Sequence, residues 1–254
     1  MKFTDTHTHL YDTAFAEDID QVVERALSFG VEKMILPAED SSTAGAIRAL
    51  KDRYPEYFFC MTGVHPTSIG ADNVVSELAF VEQELQKGGY IGVGEIGMDL
   101  YWDQTFRCQQ EDAFSRQLEL AKAYNLPVSV HCRQAMDVTL GILKEHEGVR
   151  GVMHCFSGSY EDARRVLDLG MVLGVGGTVT YKNNPLKEVL LKVGLGYIVL
   201  ETDAPFLAPV PYRGKRNESS YIPDIAAFLA GLFGAEMEDV SRMTQQTVST
   251  VFGI

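Results

Sequence analysis

The sequence predicts an α/β fold, a single TIM-type (β/α)₈ barrel over residues 1–254 with its site at the C-terminal ends of the strands. Three observations lead there. Eight short apolar runs alternate with amphipathic stretches, the pattern of a parallel sheet whose crossovers are helices. The length of 254 residues suits eight such units in one barrel. Polar residues able to bind metals recur where the apolar runs end, the edge at which barrels carry their chemistry. An open doubly wound sheet is the structural alternative.

The first strand is expected over Phe3–His9 and is followed by residues 17–30, where Ile19, Val22, Val23 and Ala26 share one helical face. Lys33–Pro37 is the second strand, ahead of an amphipathic stretch over 43–54. The aromatic-rich run Tyr57–Val64 is the third, followed by helical spacing through 73–87. The fourth, Tyr90–Glu95, begins after Gly88 and Gly89 and precedes the stretch 109–125. Val128–His131 and Val152–Cys155 are the fifth and sixth, with an amphipathic segment over 159–170 after them. Met171–Val175, set between glycines, is the seventh and Tyr197–Asp203 the eighth. All are rich in Val, Ile, Leu or aromatics and bounded by Gly, Pro or polar residues. No internal repeat or linker points to a second domain.

Composition is that of a soluble globule, 46% hydrophobic and 22% charged, so a large core is available. Cys60, Cys108, Cys132 and Cys155 show no CxxC spacing, which reads as free thiols. The start, MKFTDTHTHL, has no basic-then-apolar leader, and no run of about 18 apolar residues occurs. A cytoplasmic monomer without membrane contact is expected. The net charge of −13 argues against coating nucleic acid by bulk electrostatics. It leaves a nuclease open, because bound cations and a few local bases can invert the field inside a pocket.

Six residues closing apolar runs carry the chemical reading: His7, His9, Glu95, His131, His154 and Asp203. In a strand, residues i and i+2 share a face, so His7 and His9 point together while Thr6 and Thr8 face outward. By the same alternation Cys132 and Cys155 face the helices. Asp5 and Glu201 lie one inward step deeper, as carboxylates able to orient a ligand imidazole. Four imidazoles and two carboxylates without a thiol suit two open-sided divalent ions rather than a closed structural zinc site. The donor set leaves Zn²⁺, Mn²⁺ and Mg²⁺ open.

Further pieces complete a resemblance. DTHTHL (5–10), GVHP (63–66), GEIGMD (94–99), HCR (131–133), HCFSG (154–158), ETDAP (201–205) and RGKRNE (213–218) cover essentially the whole chain. In that order they resemble the TatD family of metal-dependent deoxyribonucleases, among the amidohydrolase-like barrels. The resemblance implies one ion on His7, His9, Glu95 and Asp203, and a second on Glu95, His131 and His154. It implies hydrolysis of DNA phosphodiesters, from the 3′ end of single strands, with Asp203 drawing a proton from the attacking water. Ser219 departs from the proline usual after RNE, which would loosen that loop. Thr247 stands where the last helix often has Asn.

The long Pro-rich stretch after Asp203 carries Arg213, Lys215 and Arg216, a local positive excess suited to an anionic ligand. A solvated turn is the alternative. Arg133, two residues past His131, is a candidate phosphate contact, with a structural ion pair as the alternative. His65 joins Asp203 and Glu201 as a candidate catalytic group and is also a candidate substrate contact, with a satisfied structural histidine as the alternative. Lys182, in the loop after the seventh strand, could reach the substrate; the aromatics Tyr101, Trp102 and Tyr181 fall in rim loops where they could stack on bases, with packing the loop down as the alternative. His146 receives no role. The competing functions are an amide, lactone or ester hydrolase on the same machinery, or a binding protein that retains the metals without turnover.

Overall fold

β-Branched and aromatic runs, apolar on both faces, settle where both faces are covered, which a helix-wrapped parallel barrel provides. In the computed structural model, which describes residues 1–254, eight strands pair in parallel in chain order. They are β1 (Phe3–Asp5), β2 (Val31–Leu36), β3 (Phe58–Thr62), β4 (Gly92–Asp99), β5 (Val128–Arg133), β6 (Gly151–Met153), β7 (Met171–Val175) and β8 (Ile198–Leu200). Nine helices alternate with or follow them: α1 (Ile19–Ser28), α2 (Ala44–Arg53), α3 (Val74–Lys87), α4 (Arg107–Ala123), α5 (Met136–Glu145), α6 (Tyr160–Asp168), α7 (Leu186–Val193), α8 (Ile222–Phe233) and α9 (Met237–Phe252). The expected barrel is the observed one. No helix is long and apolar enough to cross a membrane.

The main core lies between strands and helices, and a smaller one fills the barrel. Ile35, Met61, Val152 and Val199 meet Val248, Val251 and Phe252 of α9. Ser241 donates to the Lys2 carbonyl and Arg150 to that of Val251, which ties α9 across the amino ends of the strands. Thr247, the residue in place of the usual Asn, donates within α9 and to Gly196. With its floor covered, the barrel opens only at the carboxyl edge.

Several strands end earlier than their apolar runs. His7 and His9 lie beyond β1, His154 beyond β6 and Asp203 beyond β8, whereas β4 continues past Glu95 to Asp99. Backbone bonds nevertheless carry the barrel past these ends. β8 meets β1 through Thr6 N–H to the Leu200 carbonyl (2.9 Å), Asp203 N–H to His7 (2.9 Å) and His9 N–H to Ala204 (2.8 Å). Thr6 adds its hydroxyl to the same carbonyl, so it belongs to the closing seam rather than to an outward face.

β4 departs most from a regular ladder. Its register with β5 shifts between Val93 and Ile96, and Gly94 and Glu95 exchange two 2.9 Å bonds with Ala38 beyond β2. That detour carries Glu95 over the barrel's mouth. The strand then rejoins β5, with Gly97 opposite His131. Gly97 has φ +135°, and a Cβ there would lie 2.1 Å from the His131 carbonyl oxygen. Gly97→Ala should therefore cost about 1–3 kcal/mol from overpacking alone, read as a lower urea midpoint. An unchanged midpoint would contradict this close approach.

Candidate metal centre

The seam and the β4 detour bring side chains from five other strand ends around one carboxylate. Glu95 is buried, and its oxygens lie within 4 Å of five of the chain's six histidines. Oε2 faces His7 Nε2 at 3.2 Å and His9 Nε2 at 3.7 Å. Oε1 faces His131 Nδ1 at 2.9 Å, His65 Nε2 at 3.4 Å and His154 Nε2 at 3.9 Å. Asp203 Oδ1 lies 3.4 Å from His9 Nε2, 3.7 Å from His154 Nε2 and 3.9 Å from His7 Nε2.

The outer nitrogen of every one of these rings is also held. His7 Nδ1 meets Ser129 Oγ at 3.1 Å, His9 Nδ1 the Tyr11 hydroxyl at 2.7 Å, and His65 Nδ1 Thr67 Oγ1 at 2.6 Å. His131 Nε2 meets Asp99 Oδ2 at 3.0 Å. His154 Nδ1 faces Glu201 Oε2 at 3.1 Å, off-line, as an ionic contact rather than an aligned hydrogen bond. Each ring thus turns one nitrogen outward to a partner and the other toward Glu95, the arrangement that orients metal-bound imidazoles.

Donor spacing tests the fit to a cation. Four donors about 2.1 Å from a tetrahedral ion stand about 3.4 Å apart. His7 Nε2, His9 Nε2, Glu95 Oε2 and Asp203 Oδ1 give separations of 3.2–3.9 Å, including 3.2 Å between the two imidazole nitrogens. Glu95 Oε1, His131 Nδ1 and His154 Nε2 form a second group on the other oxygen, with His65 Nε2 beside it. These residues could hold one or two divalent ions.

Charge in the pocket is finely opposed. Burial works to raise Glu95, but His65, His7 and His131 outweigh it and keep this carboxylate well below its ordinary range. Burial likewise opposes ionisation of Asp203, and its bond to His9 with the field of His154 holds it low. Burial would lower His131, yet Asp99 and Glu95 lift it to about 9. His154 rises to about 10 against burial, chiefly through Glu201. His7 goes the other way, lowered by burial and by neighbouring His154. A cation taking these nitrogens must displace their protons.

The supporting residues correct and extend the sequence reading. Asp5 touches no imidazole: it accepts from Thr202 N–H, the Thr202 and Ser219 hydroxyls and, more weakly, His7 N–H. It positions backbone on both sides of the seam. Ser219, expected to loosen its loop, is buried and fastens it to Asp5 at 2.7 Å. Cys132 keeps to the α5 side near Thr139, as alternation predicts. Cys155 does not, because its φ of +45° turns the chain, and its thiol is raised by burial and by Asp203, Glu201 and Glu95. Asp99 and Tyr11 went unnoticed. Asp99 had a signal, the apolar run continuing from Glu95 through Ile96 and Met98; Tyr11 had only its place two residues after His9.

The rim residues divide. Arg133 and Arg213 have no acidic partner, their guanidinium groups lying 3.9 Å over Tyr101 and 4.5 Å over Tyr181. Arg216 is committed elsewhere, with two bonds of 2.7 and 2.6 Å to Asp18 and one to the Ala14 carbonyl. Its candidacy as a phosphate contact gives way to a structural one, since an opposite charge from a distant loop already occupies it. Lys182 is exposed, and His146 bonds Ser115 away from the site.

The sequence model of TatD related DNase matches residues 4–253. The chain belongs to the TatD family. A TatD relative in Bacillus subtilis strain 168, the uncharacterized metal-dependent hydrolase YabD, is 35% identical over 253 residues, covering 98% of each chain. A second, in Klebsiella pneumoniae strain 342, carries the name 3′–5′ ssDNA/RNA exonuclease TatD and is 34% identical, covering 98% of this chain and 97% of its own. The crystal structure of the TatD homologue YjjV from Escherichia coli K12 superposes with a TM-score of 0.92 at 32% identity, covering 99% and 98% of the two chains. With this family membership the chain is a metal-dependent hydrolase.

The Glu201 contact can be probed directly. Glu201→Gln removes the charge facing His154, and metal affinity should fall roughly 10- to 100-fold, as measured by calorimetric titration with Zn²⁺ or Mn²⁺. Wild-type affinity in that variant would sink the orienting role.

Proposed function

We propose that this TatD-family hydrolase cleaves phosphodiester bonds of DNA, trimming single strands from the 3′ end with two divalent ions. The observation that supports it best is the division of Glu95: each oxygen faces its own set of nitrogens, as a carboxylate bridging two ions would. The unpaired Arg133 and Arg213 on the rim of a protein with net charge −13 favour a phosphate over a neutral amide or lactone. The name of the Klebsiella relative points the same way.

When bound, divalent cations supply positive charge that acidifies an attacking water and offsets charge growing on the phosphoryl oxygens. The residues divide the remaining work. Asp203, held ionised and placed just beyond β8, accepts the proton of the water as the water oxygen bonds to phosphorus and the bond from phosphorus to the leaving oxygen breaks. His65 stays outside the metal ligands in this reading: its Nδ1 accepts from Thr67 N–H, which leaves Nε2 to donate a hydrogen bond to the phosphate or a proton to the leaving oxygen. Arg133, Arg213 and Lys182 orient the phosphate chain. Glu201 and Asp99 act through His154 and His131, so they are positioning residues.

Asp203→Asn keeps the size and polarity of the side chain but removes its basicity. Its kcat on a single-stranded oligonucleotide should drop by at least about 100-fold, with substrate affinity within a few-fold of wild type. Full turnover in the variant would refute the assignment. Oligonucleotides labelled at either end, single- or double-stranded and assayed with each metal, test the substrate. Shortening from the 3′ end supports the proposal, whereas hydrolysis of esters or lactones alone would replace it.

A further inference from the structure

Five of the eleven large apolar side chains exposed on this protein sit in two loops at the carboxyl edge: Tyr101 and Trp102 after β4, and Phe206, Leu207 and Val210 after β8. Exposed apolar groups concentrated beside a polar pocket mark a contact surface more often than chance scatter does. The β4 pair is the better defined. Tyr101 is 47% and Trp102 69% exposed, so neither serves to pack its loop down. Their rings meet edge to face at 4.9 Å, and the Arg133 guanidinium lies 3.9 Å from one centroid and 5.1 Å from the other.

One carboxylate fixes this group relative to the candidate metal centre. Asp99 Oδ1 accepts from the N–H groups of both Tyr101 (2.9 Å) and Trp102 (3.2 Å), while its Oδ2 faces His131 Nε2 at 3.0 Å. The aromatic pair is therefore held by the same side chain that orients an imidazole facing Glu95.

Resting on the nucleic-acid reading above, we propose that Tyr101 and Trp102 form a stacking platform for an unpaired nucleobase beside the scissile phosphate, with Arg133 serving that phosphate. The Trp102 ring, largely exposed and braced edge to face by Tyr101, offers a flat π-surface beside a guanidinium with no acidic partner, which matches a ligand with an aromatic face and an adjoining anion. Stacking tolerates any base, so the platform would favour single strands, whose bases are free to leave their neighbours, without reading their sequence. The linkage through Asp99 sets base and phosphate in one register with the site.

Trp102 is the only tryptophan, so its fluorescence reports on the platform alone. The probe is a hexathymidylate and its analogue with an abasic 3′-terminal residue, with phosphorothioate versions for binding. On the wild type, the phosphorothioate hexamer should quench the fluorescence saturably, and the abasic substrate should show a KM roughly tenfold higher. In Trp102→Ala the ratio of the two KM values should collapse to near one, and Trp102→Phe should restore most of it. A ratio that survives Trp102→Ala, or a wild type indifferent to the missing base, overturns the platform while leaving nuclease activity in place. Failure of the wild type to cleave either oligonucleotide removes the nucleic-acid reading itself, and the platform with it.

Discussion

The contact on which this structure turns is that between the Glu95 carboxylate and the imidazoles around it. A buried carboxylate held ionised is costly unless opposing charge and hydrogen bonds surround it. Here His7, His9, His65, His131 and His154 approach within 2.9–3.9 Å, and Asp203 completes the ring of donors. Nothing in the fold's stability requires five imidazoles to gather so closely, since several of them oppose one another's protonation. A divalent cation held by these residues would relieve that opposition by taking the place of the shared protons.

The barrel supplies precision to this assembly in two ways. The β8–β1 seam fixes His7 and Asp203 to each other through their backbones, so ligands from opposite ends of the chain cannot drift apart independently. The β4 detour then brings Glu95 across to them through Ala38. Outside this ring, Ser129, Tyr11, Thr67, Asp99 and Glu201 each hold one imidazole, which limits the rings to one rotation. A similar economy governs the basic loop, where Arg216 and Arg25 are bound to Asp18 and Glu218 and leave Arg213 as the arginine free to meet a ligand.

Much of this was legible in the sequence because period-two and helical patterns identify a barrel, and a barrel places strand ends on one rim. His7, His9, Glu95, His131, His154 and Asp203 are gathered as that logic requires. Strand alternation held for His7 and His9, which point together at Glu95, and failed for Cys155. His7 and His9 converge from beyond β1, and Cys155 turns inward on a positive φ. What stayed hidden depends on long-range pairing. The bond from Ser219 to Asp5 spans 214 residues and that from Arg216 to Asp18 spans 198, distances over which no local pattern carries information. Asp99 lay hidden for a different reason, because the expected fourth strand stops at the polar Glu95 although its apolar positions continue through Ile96 and Met98.

The account stands or falls on whether one carboxylate joins two cations. Anomalous diffraction from crystals grown with Mn²⁺ or Zn²⁺ measures this without reference to any substrate. It should yield two peaks flanking Glu95, one among His7, His9 and Asp203 and the other toward His131 and His154. A single peak away from Glu95, or none at saturating metal, would contradict it.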